Sequence, residues 1–355
     1  MPLPSGSAPL HTTSTSPDSF LLGVDIGGTK MEAIVVDGRQ QVLSQVIRPT
    51  QTENSQRLLN GVVEIIQAAL HKSELGASDL AAVGIGIPGQ VDPHSGEVRL
   101  AVNLNLTTYP LGPVLSTRFG VPVYMENDVR LAAVAAYHYQ NQRQPLHHLA
   151  YLSVGTGIAA GVVLNGRLYR GASGMAGEIG HIVVDPQGPI CSCGQQGCLE
   201  SLASGPAVIN RVNQLLGQAA GEKQNGRIFT NAGDVYQAAA NGQAVARTVV
   251  NQTSSHLARA IQWLIMTYDV EQVVLGGGVT HIGQPFLQPL LHQLSRLRSQ
   301  SQLARTMLQS HKVTQLPSSY NAGVWGAILL AQQSSSFVVE GDRETLRPTP
   351  AHPIQ

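Results

Sequence analysis

Residues 20–38 read F-L-L-G-V-D-I-G-G-T-K-M-E-A-I-V-V-D-G. An apolar run carries Asp25 near its end, Gly27, Gly28, Thr29 and Lys30 make a turn, a second apolar run spans Met31 to Val36, and Asp37-Gly38 is a strong hairpin signal. With Gln41 to Ile47 as the next run, the stretch predicts three antiparallel strands. The same order returns at Leu149. A strand to Val154 is followed by the turn Gly155-Thr156-Gly157, a strand from Ile158 to Leu164 and a hairpin at Asn165-Gly166. Gly28 to Asp37 and Thr156 to Asn165 are both nine residues apart, and an internal duplication is the economical explanation.

Outward from these two stretches, apolar residues of Arg57 to His71 recur at helical spacing, with Glu53, Asn54 and Ser55 available as caps. Leu80 to Ile87 reads as a buried strand ending at Pro88-Gly89, and Val121 to Met125 as another, followed by Glu126-Asn127-Asp128 and a helix from Val129 to Tyr139. Strands alternating with crossover helices after an antiparallel opening describe an α/β fold with a mixed sheet. Helices are predicted over Ala207–Leu216, Ala232–Ala240 and Gln243–Tyr268. A strand, Gln272 to Leu275, runs into Gly276-Gly277-Gly278, and helices Gln284–Leu297 and Ala322–Gln332 bracket a strand near Lys312 to Leu316. Ser, Thr and Pro dominate residues 1–19, which resemble neither a secretory signal nor a transit peptide and are expected to be a disordered leader; 335–355 are expected to be a disordered tail.

A chain of 355 residues is long enough for two domains, each with its own core. Lys plus Arg and Asp plus Glu balance at 22 each, so nothing electrostatic points to nucleic acid or an anionic membrane, and a small neutral ligand fits better. The most apolar helix candidate, 257–275, is interrupted by Arg259, Asp269 and Glu271, which argues against a membrane span. Free cysteines arranged for metal favour a reducing cytoplasm.

All three cysteines lie in E-I-G-H-I-V-V-D-P-Q-G-P-I-C-S-C-G-Q-Q-G-C-L-E, residues 178–200. Cys191, Cys193 and Cys198 with His181 make a Cys3His set, which suits a closed, structural Zn2+ site; a disulfide between any two would leave an odd cysteine. The loop it would pin carries Glu178 and Glu200, two candidate working carboxylates. Glycine turns follow strands after Asp25, Val154 and Leu275, and their backbone N–H groups can cradle phosphate, helped by the hydroxyls of Thr29 and Thr156. Asp25 is placed to hold Mg2+ near a terminal phosphate. Neither a Walker loop nor a Rossmann glycine fingerprint is present, so a nucleotide site here is of another kind. Asn127-Asp128 reads equally as a helix cap and as a general base for phosphoryl transfer to an alcohol.

Asp25-Ile26-Gly27-Gly28-Thr29-Lys30, Glu126-Asn127-Asp128, the run Leu152 to Gly166, Gly177-Glu178-Ile179-Gly180-His181 and C-S-C-G-Q-Q-G-C-L-E together resemble the ROK family of sugar kinases and repressors, over about residues 20–333. The resemblance implies a duplicated actin-like, ribonuclease-H-like α/β fold whose two domains, 20–128 plus 318–334 and 129–317, face a central cleft holding ATP and a hexose. It implies Asp128 as the base on the sugar 6-hydroxyl. It also implies hydroxyl contacts from Asn127, Asn103, Glu178, His181 and Glu200, with Gly89 in the sugar loop. Gly27 to Thr29, flanked by Asp25 and Lys30, and Gly155 to Gly157 would be the phosphate loops, and Gly276 to Gly278 the adenosine loop. His181 would put one ring nitrogen on zinc and turn the other toward the sugar. Glucose is the first expectation, N-acetylmannosamine or N-acetylglucosamine the second, and a homo-oligomer, dimer or tetramer, is implied. Two departures touch the pocket: L-N-L-T-T-Y-P-L follows Asn103 where many relatives have Trp, and Arg130 replaces a small residue. Repressors of the family carry a helix-turn-helix ahead of the first glycine motif; here twenty-four non-basic residues precede Asp25, favouring a kinase. Glycoside hydrolysis by a carboxylate pair would leave the three turns unexplained.

Overall fold

Near-continuous apolar runs belong to strands covered on both faces, and such runs form the centres of two sheets. The structure, a computed structural model, describes residues 19–220 and 229–337. The predicted leader, apart from Ser19, and the tail from 338 lie outside the described residues.

In the first half, β1 (Phe20–Ile26), β2 (Lys30–Val36) and β3 (Val42–Pro49) pair antiparallel. Helix α1 (Ser55–Lys72), capped by the Asn54 side chain, crosses to β4 (Leu80–Ile87), parallel to β1. A small antiparallel sheet of β5 (Gln90–Asp92), β6 (Glu97–Ala101) and β7 (Leu106–Tyr109) follows, then α2 (Leu111–Phe119). β8 (Val123–Asn127) lies parallel to β4 and leads directly into α3 (Asp128–Asn141).

The second half repeats the plan with β9 (Leu149–Val154), β10 (Ile158–Leu164) and β11 (Arg167–Tyr169) antiparallel. After the cysteine loop come α4 (Leu199–Ala203), α5 (Gly205–Ala220), α6 (Ala232–Ala240) and α7 (Ala244–Tyr268). Next are β12 (Gln272–Gly276), α8 (Gln284–Gln300), α9 (Gln302–Met307), β13 (Val313–Gln315) and α10 (Ala322–Phe337). The sheet orders are β3-β2-β1-β4-β8 and β11-β10-β9-β12-β13, one topology used twice. The duplication expected from two glycine hairpins therefore extends to whole sheets.

One face of the first sheet packs Leu22, Val24 and Ile26 on Leu58, Val62 and Ile65 of α1; the second sheet packs Leu152 and Val154 with Leu257 and Ile261 of α7. The other face of the first sheet, with Leu21, Ile34 and Ala82, is covered by Val324, Ile328 and Ala331 of α10. Helix α3 packs against α10 and, through Ala133 and Ala136, against Tyr151 and Val163 of the second sheet. The two halves thus meet through α3 and α10.

The observed elements depart from expectation in a few places. α10 runs to Phe337, three residues into the expected tail, and β8 extends to Asn127. Among the described residues no helix is long and apolar enough to cross a membrane.

Candidate active site

Each glycine turn sits at a strand end, and the second and third meet. The first is fastened by Thr50, whose hydroxyl donates to Gly27 O (2.7 Å) and whose N–H donates to Thr29 O (2.9 Å). In the second, Gly155 N–H donates to Gly157 O (2.9 Å) and Gly155 O accepts from Gly205 N–H (2.9 Å). A Cβ on Gly155 would lie 3.6 Å from Gly278 N, so the second and third turns abut. One cavity of about 770 Å³ is lined by Asp25, Lys30, Asp128 and Gly276–Gly278, together with Glu32, Tyr151, His281 and Asn321.

The Asn127-Asp128 ambiguity divides between the two residues. Asn127 is the cap: its Oδ1 accepts from Arg130 N–H (3.1 Å), and its Nδ2 donates to Gly89 O (3.1 Å). That leaves the carboxamide one N–H and a lone pair for a sugar. Asp128 is the first helical residue, accepts only a local bond from Val129 N–H (2.8 Å), and lines the cavity. Burial pushes its carboxyl up to about 6, with Glu178 adding to the rise while the Val129 N–H and Arg130 oppose it. Asp25 is pushed up to about 7 by burial, Asp128 and Glu32, its cross-strand neighbour. Glu32 is itself held by Gln45 Nε2 and Asn321 Nδ2, each at 2.7 Å. Lys30 offsets part of the rise at Asp25.

Both native values exceed the unfolded carboxylate value of about 3.9, so the folded chain holds more protons between roughly pH 4 and 7. Stability of the ligand-free protein is expected to rise as pH falls through that window. A base at Asp128 would have to be ionised, and kcat/KM would then fall on the acid side with an apparent pKa near 6. Rates measured from pH 5 to 9 check this, and a flat acid side would remove Asp128 from base duty.

Asn103, Thr156, Gly157, Cys191 and Glu200 line a second cavity of about 990 Å³. The sugar set named from sequence is therefore divided, with Asp128 in the first cavity and Asn103 and Glu200 in the second. Gly28, Glu178, His181, Asn127 and Gly89 line neither cavity; a Cβ on Gly28 would lie 3.7 Å from Asn103 Cβ, and Glu178 acts electrostatically on Asp128. Glu200 is tied to the second turn, accepting from Ile158 N–H at 2.9 Å, and a Cβ on Gly157 would meet its Oε2 at 2.6 Å. One of its oxygens is thus already engaged. Gly177 and Gly180 let the Glu178 segment lie flat on β10; a Cβ at either would stand 1.8 or 2.0 Å from Ala160 O or Ile158 O.

The cysteine loop closes as a knot. Ligand atoms of His181, Cys191, Cys193 and Cys198 all lie within 4.8 Å of one another. Cys193 Sγ to Cys198 Sγ and Cys191 Sγ to His181 Nδ1 are both 3.7 Å. Tetrahedral zinc sets two sulfurs about 3.8 Å apart, so the residues fit the ion. Burial pushes the Cys198 thiol up to about 12, and a thiolate there needs a cation beside it. With Nδ1 in the knot, His181 keeps Nε2 for another partner.

Sequence reasoning missed one network. Glu126, buried at the end of β8, accepts from Arg130 Nη1 (3.0 Å), Arg170 Nε (2.6 Å) and Asn127 N–H (2.9 Å), and Arg130 Nη2 also donates to Gly174 O. Arg130 stood out in the sequence only as an unusual residue; a charge four positions from Glu126 was the available signal.

Twin five-stranded sheets of one topology, joined through α3 and α10, define an actin-like ATPase fold of two domains. The chain belongs to the ROK family, whose profile matches residues 21–334. It is 30% identical over 326 residues to a glucokinase of Thermotoga maritima, covering 89% of this chain and 98% of that one. An N-acetylmannosamine kinase of Citrobacter koseri is 31% identical over 315 residues, 88% of this chain and 98% of its own length. A xylose repressor of Caldicellulosiruptor bescii is 29% identical over 76% of this chain and 68% of the repressor. The crystal structure of a ROK family glucokinase from Streptomyces griseus in complex with glucose and AMPPNP superposes with a TM-score of 0.73 at 29% identity, covering 89% of this chain and all of that one.

Proposed function

We propose that the protein is an ATP-dependent hexose kinase that phosphorylates the sugar 6-hydroxyl, with glucose as first substrate and N-acetylmannosamine or N-acetylglucosamine as the alternative. The observation that carries this reading is Asp128. It is not used as a cap, its proton affinity is raised, and it shares a cavity with Asp25 and the third glycine turn. Asp128 accepts the proton of the attacking hydroxyl, which must lie within hydrogen-bond reach. Asn103, Asn127, Glu178, His181 Nε2 and Glu200 orient the ring, and Gly89 holds Asn127 in register. The turns Gly27 to Thr29 and Gly155 to Gly157 bind phosphate oxygens through the N–H groups of Gly28, Thr29, Thr156 and Gly157, those of Gly27 and Gly155 closing the turns on Lys30 O and Gly157 O; Lys30 adds a cation, and Gly276 to Gly278 seat the adenosine. Asp25 would hold Mg2+ through water, and the ion would neutralise charge on the transferred phosphoryl.

Residues 20–128 with 318–334 and residues 129–317 are the two bodies that close on the cleft and exclude water from the acceptor site. Zinc on His181, Cys191, Cys193 and Cys198 is structural. A cytoplasmic homo-oligomer completes the reading. The kinase reading is supported by kinase relatives that align along almost their whole length. A DNA-binding regulator is the competing reading, supported by the repressor relative.

The test is a coupled ADP-release assay with Mg-ATP across glucose, N-acetylmannosamine, N-acetylglucosamine, fructose and mannose. One sugar is expected to exceed the others in kcat/KM by at least about tenfold, since a built hydroxyl site discriminates strongly. No turnover with any of them, in folded protein, would refute the kinase reading.

A further inference from the structure

Arg130 is 2% exposed, and its partner Glu126 is wholly buried. Removing an arginine from water is costly, and apolar residues of similar volume often serve stability as well or better. The charge therefore calls for a use other than packing. Its connections are specific: Nη1 donates to Glu126, Nη2 to Gly174 O, and its own N–H to the Asn127 cap. Arg170 closes on the other Glu126 oxygen, and Arg170 O accepts from Ala176 N–H (3.0 Å), making a closed loop of residues 170–176. That loop leads straight to Glu178, while Glu126 and Arg130 flank Asp128.

We propose that Arg130, with Glu126 and Arg170, is a positioning residue for phosphoryl transfer: it clamps the start of α3, which carries Asp128, to the 170–177 loop, which leads into Glu178. This rests on the reading of Asp128 as base. The clamp fixes the spacing between the group that takes the proton and a group that holds the ring. It also places a full positive charge beside Asp128. That charge stands against Glu178 from the loop, Asp25 from β1 and the Tyr151 hydroxyl from β9, the groups facing Asp128. A planar fork is what the geometry demands, since one side chain must reach a carboxylate and a carbonyl at once.

The experiment compares pH profiles of kcat and sugar KM for wild type, Arg130→Met and Arg130→Lys. Arg130→Met is expected to lower kcat about ten- to a hundredfold through misplacement and to move the acid limb up by about one unit. Arg130→Lys should keep the acid limb near the wild-type position while raising sugar KM. If Arg130→Met does not fold, Arg170→Met replaces it, at a side chain 41% exposed; a raised sugar KM with an unmoved acid limb is then expected. A folded Arg130→Met enzyme with wild-type KM and acid limb overturns the proposal, as does an unaltered Arg170→Met enzyme in its place. Wild-type protein inactive on every sugar would instead bring down the kinase reading and this one with it, so the two failures are told apart.

Discussion

Asp128→Ala is expected to lower kcat by about 10³-fold, within the 10²–10⁴ range of a general base, while sugar affinity measured by calorimetry stays within about threefold. Asn127 keeps the helix cap and Gly89 keeps its partner, so the substitution leaves the start of α3 fastened. Burial disfavours the ionised carboxylate in the folded chain, so at neutral pH the substitution is expected to raise the stability of the ligand-free protein rather than lower it. Asp128→Asn separates the effects, retaining shape and polarity but not the basic site. If both variants turn over within about tenfold of wild type, Asp128 is only a helix-start residue, since a missing base costs at least two factors of ten.

Cys193→Ser is expected to lose the zinc and lower the melting temperature by on the order of 10 °C, because ligand removal takes metal-binding energy out of folding. Cys193 is exposed, so the change opens no cavity and any loss belongs to the ion. Metal analysis of wild type should return one zinc per chain. Sugar affinity should weaken by about 10–100-fold, the usual consequence of disturbing a group that orients a metal-bound histidine, while the ATP dependence of residual turnover changes less. A zinc-free Cys193→Ser protein with wild-type melting and affinity would refute the structural-metal assignment.

Much of this was legible in the sequence because its signals are local. A glycine pair after an apolar run and three cysteines within eight positions mean the same thing in almost any context. The small sheet was not legible, because Gln90-Val91-Asp92 and Glu97 to Ala101 are too short and too polar to show alternation. Helix α2 was hidden by Gly112 and Pro113 in its first turn, which read as punctuation. The Glu126 network was missed for another reason. Arg170 lies forty-four positions from Glu126, and only the approach of the second sheet to α3 makes one carboxylate serve two guanidinium groups. The division of the sugar set over two cavities is likewise tertiary: spacing along the chain does not say which side of the second turn Glu200 occupies.

The way α10 covers the first sheet bears on how the chain matures during synthesis. Leu21, Ile34 and Ala82 emerge from the ribosome roughly 240 to 310 residues before Val324, Ile328 and Ala331, which close that face. Until then the first half exposes an apolar sheet surface while the second, whose core is drawn from its own strands and helices, can condense. The half translated first thus stays open until α10 is made, and its unfinished face is the surface on which a chaperone would act.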